Sequence, residues 1–318
     1  MSWAKIGQIL QPRPETGWMA TGAGNCWAEL LPDGRLRALV SGRDTHNRSR
    51  IGEVFFDANT LKVLEIAANP LIKLGERGVF DFNGTSYPWM VCENDNEYLY
   101  YTGWTIGAHT PFINDPGLAI RTAGQFEFQK ISRAGIFPRT DDEPFGTGSM
   151  CVLKETDGWK MYYTTFTHWG KDENDHPHYY HICYATSTDG IHWVRTGQVC
   201  VDYDKNNGEY VTARPCVIRY KGLYLMWFSY RGDYYRIGFA ASTDGINWNR
   251  HTAELGLDVS PTGWDSEMVS YGFVYQREGQ LYMLYSGNGF GRSGLGAAVM
   301  QTGELDAVLT NLGYPLKA

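Results

Sequence analysis

The sequence predicts an all-β chain folded as a five-bladed β-propeller, with four antiparallel strands in each blade. Two segments carry the clearest signal: ATSTDGIHWVR at 185–195 and AASTDGINWNR at 240–250 are copies of one turn that leads into a Trp-anchored strand. Each copy follows an apolar strand, which itself follows a strand of strongly alternating aromatic residues. The 37 glycines and the 14% of aromatic residues also favour many short strands joined by tight turns.

The strand unit recurs at a nearly constant spacing along the whole chain. The turn before the second strand of each unit falls about every 60 residues, at Gly34, Asp95, Gly158, Gly222 and Gly279. Four antiparallel strands in about 60 residues are typical of a propeller blade. A coincidental β-sandwich would not show a constant period. We therefore expect a single domain that spans residues 1–318.

The N-terminal segment is predicted to complete the fifth blade. Residues 3–10, WAKIGQIL, resemble residues 193–200, WVRTGQVC, which form the predicted fourth strand of the third blade. The fifth unit lacks its own Ser-Thr-Asp-Gly turn and the Trp strand that follows it. An outer strand supplied by the N-terminus would close the ring and cover an exposed sheet edge. Trp3 is then a structural anchor.

Charge and composition argue against several classes of protein. The 28 Lys and Arg residues against 35 Asp and Glu residues give a formal net charge of −7, without the basic excess of a nucleic-acid binder. No apolar run approaches the ~18–20 residues that span a bilayer, and the N-terminus has no apolar signal core, which predicts a cytoplasmic protein. The six dispersed cysteines are expected to be reduced and mostly buried. No cofactor is expected, and the oligomeric state stays open.

The repeated units resemble a known group of enzymes. The residues that carry the resemblance read SYPWMVCENDNEYLYYTG, ARPCVIRYKGLYLMWFS and IGFAASTDGINW. They are similar to the five-bladed propeller glycosidases of glycoside hydrolase families 43, 62, 32 and 68, with the family-130 phosphorylases and hydrolases as cousins. The resemblance covers nearly all of the chain and lies in its architecture. It implies a pocket at the start of the axial strands, where three carboxylates converge in these enzymes.

Four acidic residues precede the predicted axial strands of blades two to five at similar distances, namely Asp81, Glu143, Glu209 and Glu267. Glycosyl transfer needs one protonated and one ionised carboxyl group, so these four are candidate catalytic residues. In the sharpest form of this hypothesis, Glu143 or Glu209 is the acid and Asp81 is the base. The alternative is that each caps a turn or pairs with an Arg at a blade junction.

The catalytic motifs of the resembling families are missing. Blade one carries Asn25-Cys26-Trp27 where families 43 and 32 place a carboxylate next to the axial strand. Blade two has Ser86-Tyr87 before its Pro instead of an acid. None of these motifs can therefore be transferred residue by residue.

Further polar and aromatic residues are expected near the pocket. Arg214 directly precedes Pro215 in an axial strand, where it could bind a carboxylate or phosphate or could pair with Glu209. The arginines would suit an anionic sugar, and aromatic rings can stack on the apolar face of a sugar. The predicted substrate-binding residues are Arg43, Asp44, His46, Trp104, His168, Arg214, Arg231, Tyr271 and Asn288.

One loop invites a metal hypothesis. The segment GKDENDHPHYYH at 170–181 contains Asp172, Asp175, His176, His178 and His181. Their spacing is not an established zinc pattern. We interpret the segment as a solvated polar loop and predict no metal site.

Two functions stay open from the sequence. The first is a carbohydrate-active enzyme, similar to a glycoside hydrolase or phosphorylase, that cleaves or transfers a glycosidic bond of a small-molecule or oligosaccharide substrate. The second is a propeller that binds a glycan, or takes part in glycan assembly, without hydrolysis. The missing carboxylate of blade one favours the second. A third possibility is different chemistry in the same pocket, because a fold does not fix a function.

Overall fold

The computed structural model describes residues 3–171 and 175–317, which form an almost entirely β structure. Its strands fall into five groups of four. Group 1 contains β2 (Gly22–Leu30), β3 (Arg35–Arg43), β4 (Ser49–Asp57) and β5 (Val63–Ile66), and group 2 contains β6 (Gly84–Glu93), β7 (Asn96–Thr105), β8 (Ile113–Thr122) and β9 (Gln129–Lys130). Group 3 contains β10 (Thr147–Glu155), β11 (Gly158–Trp169), β12 (His178–Ser187) and β13 (Trp193–Val201). Group 4 contains β14 (Val211–Tyr220), β15 (Leu223–Arg231), β16 (Tyr235–Ser242) and β17 (Asn249–Arg250).

Group 5 is assembled from both ends of the chain. It contains β18 (Ser270–Arg277), β19 (Gln280–Ser286) and β20 (Leu295–Gln301), and its outer strand is β1 (Ala4–Leu10). β1 pairs antiparallel with β20 in the sheet order β1-β20-β19-β18. The N-terminal segment therefore occupies the place that the fourth strand holds in groups 1 to 4.

Helices are few and short. They are α1 (Thr252–Leu255), a turn-like α2 (Asn288–Gly291) and α3 (Thr302–Asn311), with 3₁₀ turns at Pro14–Thr16 and Lys205–Asn207. Within the described ranges, no helix has the length and apolar character needed to cross a membrane.

The second strand of a group is buried on both faces. In β15, every residue from Leu223 to Ser229 is buried, because the strand packs against neighbouring groups on its two sides. One apolar cluster runs through all five groups, from Trp3, just before β1, to Leu309 in α3. Continuous apolar runs in these strands, rather than strict alternation, follow from this two-sided packing.

The first strand of every group carries the same irregularity. Each pairs with its second strand across a register shift near its start, which marks a β-bulge. In each bulge one residue other than glycine has a left-handed backbone with φ between 44° and 60°: Asn25, Tyr87, Ser149, Arg214 and Tyr271. Such a backbone costs about 1 kcal/mol or more and persists only where the surroundings enforce it.

A cyclic set of hydrogen bonds enforces these bulges. The N–H of each bulge residue donates to a Ser or Thr hydroxyl in the second strand of the preceding group. The pairs are Tyr87 with Ser41, Ser149 with Thr102, Arg214 with Thr164, Tyr271 with Ser229 and Asn25 with Ser286, at 2.7–3.4 Å. The last pair joins group 1 to group 5, so the set runs round all five groups.

The Ser-Thr-Asp-Gly turns are held by their Asp side chains. Asp244 accepts hydrogen bonds from the N–H groups of Ile246 and Asn247 at 2.8 Å and from the Ser242 hydroxyl at 2.9 Å. The Asn247 N–H is the largest influence, and together these bonds hold the pKa of the exposed Asp244 carboxyl well below its usual range. Asp189 has the same pattern with Ile191 and His192.

Replacing Asp244 by Asn is expected to destabilise the protein by about 1 kcal/mol at neutral pH, because the anionic acceptor is lost. A depressed folded pKa stabilises above the unfolded pKa of about 4, and this contribution is lost as pH falls further. The difference between wild type and Asp244→Asn should therefore shrink below about pH 4, as measured by urea unfolding. Asp95→Asn, at an exposed turn with positive φ, is the matched control and should show no difference. A pH-independent difference would contradict this account of the turn.

Candidate functional site

A cavity of about 270 Å³ is lined by the starts of the first strands of groups 1, 2 and 5 and by residues from the second and third strands of the other groups. All five groups contribute to it, and three of the five bulge residues face it. Its lining consists of Gly22, Ala23, Asn25, Ser41, Gly42, Arg43, Ser49, Ser86, Tyr87, Phe112, His178, Tyr180, Arg231, Tyr235, Tyr271 and Phe290. We call this space the central cavity. Among the described residues, no Asp or Glu lines it.

Four tyrosines form one wall of the central cavity. The hydroxyls of Tyr180 and Tyr235 are 2.5 Å apart, and the rings of Tyr87 and Tyr271 meet edge to face at 5.5 Å. Burial raises the pKa of Tyr180, Tyr235 and Tyr271 well above the usual range. These hydroxyls therefore stay protonated and can donate hydrogen bonds to a ligand.

Two polar side chains in the cavity wall lack partners. His178 is 7% exposed, and neither of its ring nitrogens has a hydrogen-bond partner in the described part of the chain. The Asn25 side-chain oxygen is also buried and without a partner there. Buried polar groups are normally hydrogen-bonded, so unpaired ones in a cavity wall indicate a place for a polar ligand.

His178 is neutral at physiological pH. Burial is the main cause, with the positive charges of Arg231 and His176 adding to it, and together they lower the pKa of His178 to about 4. Its ring stacks on Tyr180 at 4.8 Å, which fixes its orientation. A neutral imidazole offers one donor and one acceptor to a ligand.

Arg231 and Arg43 also line the central cavity, as the sequence analysis predicted for substrate binding. The Arg231 guanidinium lies 5.4–5.9 Å from the rings of Tyr210, Tyr235 and Phe290. Arg43 lies 5.4 Å from the Trp104 ring and donates to the carbonyl of Asn47 at 2.9 Å. Neither has a carboxylate within 4.0 Å among residues 3–171 and 175–317.

Three of the four candidate catalytic acids lie outside the lining of the central cavity and form ion pairs. Asp81 lies 2.5 Å from Lys130, Glu143 lies 2.5 Å from Arg195, and Glu209 accepts two bonds from Arg250 at 2.8 and 2.9 Å. The three cations come from β9, β13 and β17, the fourth strands of groups 2 to 4. The structure thus places these acids at junctions between outer strands and the loops before first strands.

Tyrosines complete this repeated arrangement. The Tyr101 hydroxyl donates to Asp81 at 3.0 Å, and the Tyr163 hydroxyl donates to Glu143 at 2.6 Å. In group 5 the equivalent acid is Asp265, which pairs with Lys5 of β1 at 2.7 Å and accepts a hydrogen bond from the Tyr285 hydroxyl at 2.9 Å. Burial raises the pKa of Asp265, but the bonds from Lys5, Ser260 and Tyr285 outweigh it and leave the pKa lowered.

Glu267 differs from the other three candidates. Its side chain is exposed and has no hydrogen-bond or ion-pair partner in the described residues. Its backbone N–H donates to the side-chain oxygen of Asn288 at 2.9 Å. Asn288, a predicted binding residue, therefore holds the loop before β18 and does not line the central cavity.

Arg214 lies in β14, the first strand of group 4, but its partners are backbone carbonyls. The guanidinium is 1% exposed and donates to Cys26 at 2.8 Å, Pro88 at 3.2 Å and Met150 at 3.4 Å. Glu209, the alternative partner, is bound by Arg250 instead. Arg214 therefore ties the first strands of groups 1 to 4 together and does not line the central cavity.

The other predicted binding residues lie around the cavity rather than in its wall. Asp44 is buried and binds Arg48 at 2.8 Å, and His46 is exposed beside it. The Trp104 indole donates to Ser49, a cavity residue, at 2.6 Å. His168 stacks on Tyr179 at 4.0 Å.

The interpretation of residues 170–181 as a solvated polar loop is wrong for their second half, because His178 begins β12 and is buried among aromatic rings. His176 stacks on Tyr210 at 3.8 Å, and Asp202 lies 3.3 Å from His181. Asp172 lies outside the described residues. Within them, no group of three His, Cys, Asp or Glu side chains has the geometry to hold a metal ion.

Several cavity residues were not among the predicted site residues. His178, Tyr180 and Tyr235 lie at the starts of third strands, whereas the predicted acids precede first strands. The two short similar segments HPHYYH and GDYYR, each of which leads into an apolar third strand, carried this signal.

The chain is similar to curated relatives in sequence and to several solved structures in fold. No family model matches the chain. Uncharacterized protein MT1551 of Mycobacterium tuberculosis is 38% identical over 302 residues, which cover 95% of this chain and 100% of the relative.

Solved structures share the fold at low sequence identity. A structure named "Glycoside hydrolase" has a TM-score of 0.71 at 16% identity and covers 93% of this chain and 90% of its own. A second comes from work on the GH130 family of mannoside phosphorylases, described as containing glycoside hydrolases that target β-1,2-mannosidic linkages in Candida mannan. It has a TM-score of 0.67 at 17% identity and covers 94% and 95%. At these identities the likeness is one of fold.

Proposed function

The chain belongs to the same family as the Mycobacterium tuberculosis protein MT1551. For this chain we propose a carbohydrate-recognising propeller whose sugar site is the central cavity. One observation carries the proposal: hydroxyl, imidazole, amide and guanidinium groups converge with aromatic rings in a cavity to which all five groups contribute. Such a mixture suits a sugar, which presents hydroxyls at its edge and an apolar face to a ring.

The proposal treats the five groups as the five blades of one propeller, with β1 as the closing strand. Two observations support this assignment. The bulge hydrogen bonds form a cycle that includes Asn25 with Ser286, and β1 occupies the outer position on β20. A central cavity then lies on the axis, where residues distant in sequence meet.

The cavity volume limits the size of the ligand. About 270 Å³ lies just below the range of about 300–1,000 Å³ for small-molecule sites. A single monosaccharide unit, free or at the end of a short glycan, matches such a space. The rings of Tyr87, Tyr271 and Phe290 are the candidate stacking surfaces.

Recognition is favoured over hydrolysis because the carboxylates lie elsewhere. A retaining glycosidase needs two carboxyl groups ~5–5.5 Å apart, and an inverting one needs them ~6.5–9.5 Å apart, on either side of the bond. Asp81, Glu143 and Glu209 are instead held by cations, and Glu267 alone of the four has a free side chain within the described structure. The bound sugar would therefore be recognised, or processed by groups other than a carboxylate pair.

The site is tested with a change that removes one side chain without backbone strain. Asn25 has positive φ, which glycine adopts readily, so Asn25→Gly should keep the fold and lose only the cavity amide. We expect sugar binding, measured by calorimetry over a panel of neutral and acidic monosaccharides, to weaken about 5–10-fold. Asn94→Gly, at an exposed turn with positive φ, is the matched control. Equal binding by both variants, or no sugar binding by the wild type, would refute the cavity as the sugar site.

The role of the acids is tested separately. Glu143→Gln should lower the free energy of unfolding by about 3 kcal/mol, because Arg195 loses its buried partner, while sugar affinity stays within twofold. If Glu143→Gln instead keeps wild-type stability but no longer turns over a glycoside, Glu143 is a catalytic residue.

A further inference from the structure

The central cavity carries positive charge that the protein does not neutralise. Arg43 and Arg231 both line it, and no Asp or Glu of the described chain does. The chain as a whole has a net charge of −7, so this local excess runs against the overall composition.

Arg231 is positioned for binding rather than for packing alone. Three aromatic rings flank its guanidinium and restrict the side chain. No carboxylate of the described chain pairs with this guanidinium. Its Nε is buried and has no hydrogen-bond partner within the described structure. An arginine held in this way loses little further freedom when it binds an anion bidentately.

Unpaired polar groups lie in the same wall. Both nitrogens of His178 and the side-chain oxygen of Asn25 are buried without partners in the described chain. Leaving such groups unpaired costs free energy, so a ligand that pairs them is favoured over an empty or apolar-filled cavity. They can bind the hydroxyls of a ligand whose charge is bound by the arginines.

From this juxtaposition we propose that the ligand is an anionic monosaccharide, with its carboxylate or phosphate bound by Arg43 and Arg231 and its hydroxyls by His178, Asn25 and the tyrosines. This inference rests on the proposed function and specifies its substrate class. Arg214 takes no part, because backbone carbonyls already engage its guanidinium. A neutral sugar would leave two arginines in the cavity without a counter-charge.

The test compares sugars that differ only in charge. Calorimetric titration of the full chain with glucose, galactose and mannose is set against their uronates and their 6-phosphates, with inorganic phosphate alone as a further arm. We expect at least one acidic sugar to bind tenfold or more tightly than its neutral parent, with an affinity that falls as salt rises. The uronate and phosphate arms show which anion is preferred.

Matched arginine variants locate the charge. Arg231→Met should reduce the affinity for the acidic sugar at least tenfold, and Arg43→Met, at an exposed side chain whose loss should not affect folding, should do the same. Arg292→Met removes the same charge outside the central cavity and should leave the affinity unchanged. Melting temperatures of all three variants show whether each is folded.

The outcomes separate this inference from the proposed function. If neutral sugars bind in the cavity as tightly as acidic ones and both arginine variants keep wild-type affinity, the anionic class is refuted and the sugar site stands. If inorganic phosphate binds as tightly as every sugar phosphate, the sugar contacts contribute nothing and the inference is likewise refuted. If no sugar binds in a way that Asn25→Gly weakens, the proposed function itself fails.

Discussion

A chain that lacks β1 should not fold on its own. Removing residues 1–10 deletes the whole outer strand of group 5, including its ladder with β20. Trp3, which is 6% exposed, packs edge to face on Trp227 at 5.8 Å and donates its indole N–H to Leu255. Lys5 is the ion-pair partner of the buried Asp265. Losing a buried Trp costs about 3–5 kcal/mol and unpairing a buried carboxylate costs a similar amount, which together approach the total stability of a typical domain.

The expected result is loss of the cooperative thermal transition, seen by circular dichroism and calorimetry. Adding a synthetic peptide of residues 1–12 in excess should restore folding, because the outer position would be refilled. Ile6→Ser, at a half-exposed position of the same strand, is the control and should change stability by no more than about 0.5 kcal/mol. A truncated chain that melts at the wild-type temperature would contradict the closing role of β1.

Replacing Arg214 by Met should destabilise the protein by about 3–5 kcal/mol. The fully buried guanidinium satisfies carbonyls of Cys26, Pro88 and Met150, and each carbonyl left unpaired in the interior costs about 1–3 kcal/mol. Arg214→Lys keeps the charge but loses the planar guanidinium, so its stability should lie between those of the wild type and Arg214→Met. In both variants residue 214, like Arg214 in the wild type, is not glycine and must adopt the same left-handed backbone. The differences in stability therefore report the side chain alone.

The measurement is urea unfolding, with the m-value checked for a change in the unfolded state. Replacing a buried charge by an apolar side chain can also stabilise a protein, when the desolvation of the charge outweighs its bonds. An Arg214→Met variant as stable as the wild type would show that this applies here, and would remove Arg214 as the tie between the axial strands.

The strand pattern was predictable because it depends on local chemistry repeated along the chain. The Ser-Thr-Asp-Gly turns, the aromatic second strands and the similarity of residues 3–10 to residues 193–200 all report local structure, and the strand groups follow them. The direction in which an acid points is not local. Asp81 and Glu143 were expected beside the cavity from their place before a first strand, whereas the structure turns them toward cations on outer strands.

One spacing in the sequence did carry this information. Asp81 and Tyr101, Glu143 and Tyr163, and Asp265 and Tyr285 are each 20 residues apart, and each pair is hydrogen-bonded. An acid that recurs at a fixed distance from a buried Tyr indicates a structural junction repeated in three of the five groups. The cavity arginines, by contrast, are the last residues of the second strands β3 and β15, and the sequence analysis placed them near the pocket.

The most direct test of the account is a crystal structure of the protein soaked with a uronate and, separately, with a sugar 6-phosphate. We expect one sugar in the central cavity, its anionic group within about 3 Å of Arg231 or Arg43, and no carboxylate pair on either side of its anomeric carbon. A sugar bound instead between two carboxylates, or at Glu143 or Asp81 with the central cavity empty, would contradict it.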